Sequence, residues 1–362
     1  MKRFKINSTK QFAKGLVGVS LCLMIILASA VAIVDPFFHY HRPLGFLQYN
    51  MYSVRYQNDG IVRNFDYDAL ITGTSITQNF ATSQLDELFG TTSVKVPYSG
   101  GFFSEIDELV RQAIDHNPDL KMVFRGLDFS RIVGEDIPGN DEAFVRPTYL
   151  YNENPFDDVL YLLNKDVLID GVIGDIKYTL EGNKTQTFDE YVSWAGMYDF
   201  GKEAMDREYD RPEPVPADQV RLYTASQREE VLENVRTNVI ATAKENPHIT
   251  FYYFIPPYSI YYYDKQNRLG TLEEYLDIYH DAMAEMAQVE NIRLYSFLDM
   301  YDVVTNLDNY RDNSHYGQWI NALMLEEMKN DNHRITSENL PGYYKEVKDF
   351  YMSYDYDFLW AT

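Results

Sequence analysis

Residues 67–75, Tyr-Asp-Ala-Leu-Ile-Thr-Gly-Thr-Ser, decide the fold class. A mostly apolar run, 67–72, breaks straight into Gly73-Thr74-Ser75, which reads as a short strand ending in a tight turn. A helix then spans about 83–89, with Ser83 and Asp86 as a capping pair and Gly90 as its stop. The same unit repeats. Residues 93–97 form a second strand leading to Tyr98-Ser99-Gly100-Gly101, and a helix over 104–116 follows. Ile106, Leu109, Val110, Ala113 and Ile114 share one face at helical spacing, and Asn117-Pro118 ends that helix. Residues 120–124 begin a third strand that reaches Gly126-Leu127-Asp128. After a long interruption the alternation resumes with a helix over 226–246, opened by Ser226 and Glu229. A strand at 249–255, stopped by Pro256-Pro257, a helix at 271–289, a strand at 292–297 and a last helix over about 316–328 complete it. Strands alternating with helices predict an α/β fold with a parallel sheet and helices on both faces. In such folds chemistry gathers beyond the carboxyl ends of the strands, where the polar turns fall here.

Outward from this core, residues 15–34 are a run of 20 without a charge, long enough to cross a hydrocarbon layer of about 30 Å. Cleavable signals carry apolar stretches of about 7–15 residues, so this run reads as an uncleaved signal-anchor, with Ala28, Ala30 and Ala32 keeping cleavage open. Lys2, Arg3, Lys5, Lys10 and Lys14 precede the first acid, Asp35, which predicts a cytoplasmic tail at 1–14 and an extracellular remainder. The whole chain carries −23, and beyond residue 34 there are 27 basic against 55 acidic groups, a balance of −28. Such a surface repels phosphate backbones and excludes nucleic acid as a partner. The lone cysteine, Cys22, permits no intramolecular disulfide. Residues 35–64, with Pro36, Pro43 and many aromatics, read as an irregular juxtamembrane lead-in. Residues 131–224 read as an insertion over the carboxyl edge of the sheet, a lid, and 330–362 as an acidic, aromatic tail that packs back on the core or stays loose. The insertion contains Asn183-Lys184-Thr185, the tripeptide of a glycosylation acceptor.

A serine hydroxyl is a poor nucleophile until a base removes its proton, and the base is usually a histidine oriented by a carboxylate. Ser75 stands directly after a strand, in a turn that pushes its side chain out above the sheet. Of seven histidines, only His280 and His315 have an aspartate three residues earlier. Asp277 and His280 lie mid-helix, where the pair is a surface salt bridge. Asp312-Asn313-Ser314-His315 lies in a polar turn between the last strand and the last helix, the place from which a base reaches Ser75. His39 and His41 lack the companions of a metal site, and His116 and His248 read as structural. Asp66 and Asp68 lack the spacing of a metal-dependent phosphoesterase.

Gly73-Thr74-Ser75 after the first strand, glycines after the second, Gly126-Leu127-Asp128 after the third and Asp312-x-x-His315 before the last helix together resemble the four-block layout of SGNH/GDSL hydrolases. With an N-terminal anchor, the chain is similar to the Gram-positive surface branch related to DltD, the D-alanyl-lipoteichoic acid protein. The likeness covers about 65–130 and 225–329 of a domain at 65–329. It implies a three-layer α/β/α, flavodoxin-like domain and a cofactor-free Ser-His-Asp triad of Ser75, His315 and Asp312. It implies acyl-ester chemistry on a cell-surface glycopolymer such as a teichoic acid or exopolysaccharide, and an integral-membrane acyltransferase as partner. The oxyanion hole would use the N–H of Ser75 and of Gly100 or Gly101. Two positions depart from the pattern: Thr74 replaces the usual Asp, and Asp128 stands where the family's third donor is Asn. An ionised Asp cannot donate a hydrogen bond, so Arg125 or Asn79 would have to serve, or Asp128 be protonated, or the reaction be slow. A catalytically inactive scaffold that keeps the fold within a wall-polymer complex is the alternative.

Overall fold

A computed structural model describes residues 9–129 and 146–360, so residues 1–8 of the expected tail, residue 130, 131–145 of the expected insertion and 361–362 lie outside the described residues. The described chain divides into two compact units, one made of 9–65 with 146–186 and the other of 66–129 with 187–360.

The second unit holds a mixed α/β arrangement around one six-stranded sheet. Its strands are β1 (Ala69–Thr72), β2 (Ser93–Lys95), β3 (Met122–Gly126), β4 (Thr250–Ile255), β5 (Ile292–Ser296) and β6 (Arg334–Ile335), in spatial order β2-β1-β3-β4-β5-β6. The first five run parallel, and β6 joins β5 antiparallel. The register aligns Thr72 with Arg125 and Arg125 with Tyr253, so the ends of the central strands open on a common edge. β1 and β2 are buried throughout, as are β3 and β4 beyond their first residues, which is what strands covered on both faces require.

The helix Thr82–Phe89 packs on Gln318–Lys329, whereas Phe103–His116 packs on the long helix that runs through 225–245. That long helix starts one residue earlier than its sequence suggests, and its cap is Thr224 in place of Ser226. The Thr224 hydroxyl accepts the N–H of Gln227 while the Gln227 side chain accepts the N–H of Thr224, a closed capping box. Ile260–Leu269 is a helix that the sequence reading left out, and it ends at Gly270 with φ +73°. The C-terminal segment packs back: β6 pairs with Leu294 and Tyr295, Leu340–Ser353 packs on Leu272–Met286, and the buried Tyr351 hydroxyl donates to the carbonyl of Leu298.

The first unit is organised around the helix Thr9–Val34, whose 26 residues, with a best window of mean hydropathy 2.8, are long and apolar enough to cross a membrane. Its end is closed by Asp35, at φ +48°, whose carboxylate accepts the N–H groups of His39, Tyr40 and His41 and the hydroxyl of Tyr161. The His41 ring stands at the last carbonyls, those of Ala32 and Ile33, a favourable place for a cation at a helix C-terminus. The lead-in is more ordered than expected, since Val54–Asn64 is a helix. Its Gly60 leaves no room for a side chain, because a Cβ there would lie 2.1 Å from the carbonyl oxygen of Phe37. The stretch expected as one insertion is shared out: 146–186 belong to this unit and 187–224 to the other.

Candidate active site

The turn after β1 is built by two glycines. Gly73 adopts φ +143°, a conformation side chains disfavour, and a Cβ on Gly73 or Gly126 would come within 3 Å of the Thr77 side chain. This lets the turn fold against the end of β3, and Ser75 opens the short 3-10 segment Ser75–Thr77. The buried Lys95 ammonium donates to the carbonyls of Gln78, Phe80 and Asp189, tying the chain that follows the turn to the segment around 189. Burial lowers the Lys95 ammonium to about 7. Asn321, on the helix Gln318–Lys329, donates to the carbonyl of Ile76.

Two segments 240 residues apart in the chain meet here. Ser75 Oγ lies 2.7 Å from His315 Nε2, and His315 Nδ1 lies 2.8 Å from Asp312 Oδ2 and 2.9 Å from Oδ1. Asp312 is set by its own turn, since Oδ1 accepts the backbone N–H of Ser314 and of His315. Burial pushes the Asp312 carboxyl up, but the imidazole of His315 and those two N–H groups outweigh it and hold the group well below the usual carboxylate range. Ser75 is half-buried, and the His315 and Asp312 side chains keep a minor part of their surface open. His280, the other candidate, pairs with Asp281 rather than Asp277, which is occupied by Lys348 and Tyr344.

The expected oxyanion donors separate. Among the described residues the N–H groups of Ser75 and Gly100 donate to nothing, whereas the N–H of Gly101 is taken by the carbonyl of Tyr98. The Tyr98-to-Gly101 turn needs Gly100 at φ +62°, and Gln78 ties it to the Ser75 turn through Ser99. Of the two glycines expected as alternatives, Gly101 closes the turn through its N–H. Asp128 is an acceptor: it receives the Thr74 hydroxyl at 3.0 Å. Burial first, and then the Asp128 charge, raise the phenols of Tyr258 and Tyr316 well above their ordinary value. Arg125 is buried and donates to the carbonyls of Asn238 and Phe103. Asn79 is different. Its Oδ1 accepts from Ser193 and the N–H of Trp194, while its buried Nδ2 has no partner among the described residues.

Sequence reasoning missed the aromatic wall. Trp194 donates its indole N–H to the carbonyl of Ser75 and stands edge-on to the His315 ring at 5.7 Å. Arg311 bonds Asp312 Oδ2 at 3.0 Å and lays its guanidinium 3.7 Å from the centre of the Tyr198 ring. Met197, Tyr198, Arg207 and Arg311 line a recess of about 230 Å³ here. No local pattern marks Trp194, because its role is fixed by contacts more than a hundred residues away in the chain.

Neither a family model nor a curated protein matches the sequence. Among solved structures, a chain from Streptococcus pneumonia provisionally described as a platelet activating factor is similar over 77% of this chain and 91% of its own length, at 12% identity and a TM-score of 0.38.

Proposed function

We propose that the chain is a membrane-anchored SGNH-type serine esterase or O-acyltransferase that acts on acyl esters of a cell-surface glycopolymer. The observation that carries the reading is the hydrogen-bonded series Ser75 Oγ, His315 Nε2, His315 Nδ1 and Asp312, assembled from positions 240 residues apart at the carboxyl edge of the five parallel strands. The order β2-β1-β3-β4-β5 is that of flavodoxin-like doubly wound sheets, which supports the three-layer form of the fold.

In this reading Ser75 Oγ attacks the acyl carbonyl while His315 Nε2 takes the hydroxyl proton. The tetrahedral oxyanion is met by the N–H groups of Ser75 and Gly100. It collapses to an acyl-serine as the C–O bond to the leaving alcohol breaks, and His315 returns its proton to that alcohol. Water or a sugar hydroxyl then attacks the acyl-serine, giving its proton to His315, which hands it back to Ser75 Oγ. Asp312 fixes the imidazole tautomer and stabilises the imidazolium. The helix Thr9–Val34 is the anchor, with residues beyond it extracellular, on the wall side of a Gram-positive membrane. An integral-membrane acyltransferase would be the partner that supplies or receives the acyl group.

A specific observation also favours a scaffold without catalysis: Asp128 accepts a hydrogen bond where the resemblance calls for a donor. The wall-polymer acyl content of cells carrying Ser75→Ala, with the protein at its normal level, separates the two. Loss of acyl esters, or their accumulation, supports the enzyme; an unaltered content supports the scaffold.

A further inference from the structure

In the first unit one helix presents a surface unlike that of a water-facing helix. Residues 165–180 run helically without a break, through a π-helical stretch at Val167–Ile173. The inner face is fixed to the chain that leaves the N-terminal helix: a Cβ on Gly171 would lie 2.7 Å from the Pro36 ring. Further along the same face, Asp175 accepts the N–H of Asn50, and the Thr179 hydroxyl receives the N–H of Gln48. The outer face carries Ile169, Ile173, Ile176 and Leu180, spaced by four, three and four, each between 41 and 82% exposed. Val159 and Leu160, on the short helix just before, are exposed as well. Outside Thr9–Val34, eleven large apolar side chains of this unit are exposed among the described residues, against six in the far larger second unit. Scattered surface leucines need no explanation, but a stripe at helical period does.

We propose that this face lies in the headgroup–acyl boundary of the bilayer that Thr9–Val34 crosses, with lipid acyl chains as its occupant. The inference rests on reading Thr9–Val34 as a membrane anchor. Continuity argues for lipid. Val159–Leu162 and Val167–Ile173 both pack against Thr9–Val34, so the exposed apolar surface of the crossing helix passes into the stripe. Lys165, Asp166, Asp170 and Lys177 are interspersed with mixed sign, so acyl contact and not attraction to anionic headgroups drives the docking.

The test uses the full chain reconstituted in phosphatidylcholine vesicles, with Ile173→Cys or Leu180→Cys in a Cys22→Ser background and an environment-sensitive fluorophore on the thiol. The unsubstituted chain labelled at Cys22, in the middle of the N-terminal helix, reports the anchor separately. Expected is blue-shifted emission at 173 and 180, quenched about threefold more by nitroxide carried on lipid than by aqueous iodide. Replacing a third of the lipid with phosphatidylglycerol should leave that ratio unchanged. Iodide quenching at 173 and 180 with lipid quenching at Cys22 overturns this inference and leaves the anchor standing. Iodide quenching at Cys22 overturns both. Disulfide cross-linking between two copies through position 173 seats a second chain on the stripe and overturns the lipid.

Discussion

Two aspartates stand at the carboxyl edge of the sheet and are held in opposite ways. Asp312 is held mainly by nitrogen donors, the His315 ring, two backbone N–H groups and Arg311, with the Ser314 hydroxyl as a longer contact. Asp128 sits in a nearly closed corner of hydroxyls, bonded by Thr74 with the phenols of Tyr258 and Tyr316 nearby. The surroundings of Asp312 orient an imidazole and keep a negative charge beside it. Those of Asp128 tie the Ser75 turn to the end of β3. Thr74 and Asp128 are bonded to each other, so the two residues are best read together, as one contact between the turn and the strand end. Residue type alone does not assign a role; the donors around it do.

The largest effect belongs to Ser75, which attacks in the proposed reaction, and sets it apart from both carboxylates. Ser75→Ala should lower esterase turnover on p-nitrophenyl acetate about 10⁴-fold or more, leaving the thermal midpoint within a few degrees. Retained turnover would remove Ser75 from the chemistry. Asp312→Asn should cost about 10³–10⁴, because it favours the wrong imidazole tautomer. Equal losses from Asp312→Asn and Asp128→Asn would erase the distinction drawn between the two. For Asp128→Asn the direction reverses: an amide restores a donor, and the rate should rise about tenfold, within the range one oxyanion donor supplies. A hundredfold fall would put the Asp128 carboxylate in the reaction itself.

The smallest effect concerns Lys95, the buried cation bonded to the chain that follows the Ser75 turn. The folded chain gives up that proton near pH 7, whereas the unfolded chain holds it to about pH 10.4. Between those values the unfolded state binds more protons, so stability relative to Lys95→Met should climb with pH from about 7 to about 10.4, and below pH 7, where both states hold the proton, it should level off at its lowest value. Urea midpoints of both proteins at pH 6.5 and pH 9.5 read this, and parallel profiles would contradict it.

Much of this edge was legible in the sequence because its signals are local. A strand running into Gly-Thr-Ser and a carboxylate three residues before a histidine each report on a single turn. Other parts were not legible, for physical reasons. Val54–Asn64 buries Arg55, Gln57, Asn58 and Asp59, so its polar side chains face inward and the apolar period is lost. Ile260–Leu269 opens with Ile-Tyr-Tyr-Tyr, which has the composition of a strand and is helical by burying Tyr261, Tyr262 and Tyr263. Trp194 and Asn79 matter through contacts made across the chain, and Gly101 differs from Gly100 only by a turn hydrogen bond that no pattern displays.

The pairing of Ser75 with His315 is tested most directly by exposing the folded, full-length protein to a fluorophosphonate probe and locating the adduct by mass spectrometry. A single adduct on Ser75 that disappears in His315→Ala is the predicted result. Labelling elsewhere, labelling of Ser75 that persists without the imidazole, or no adduct on the folded chain would contradict it.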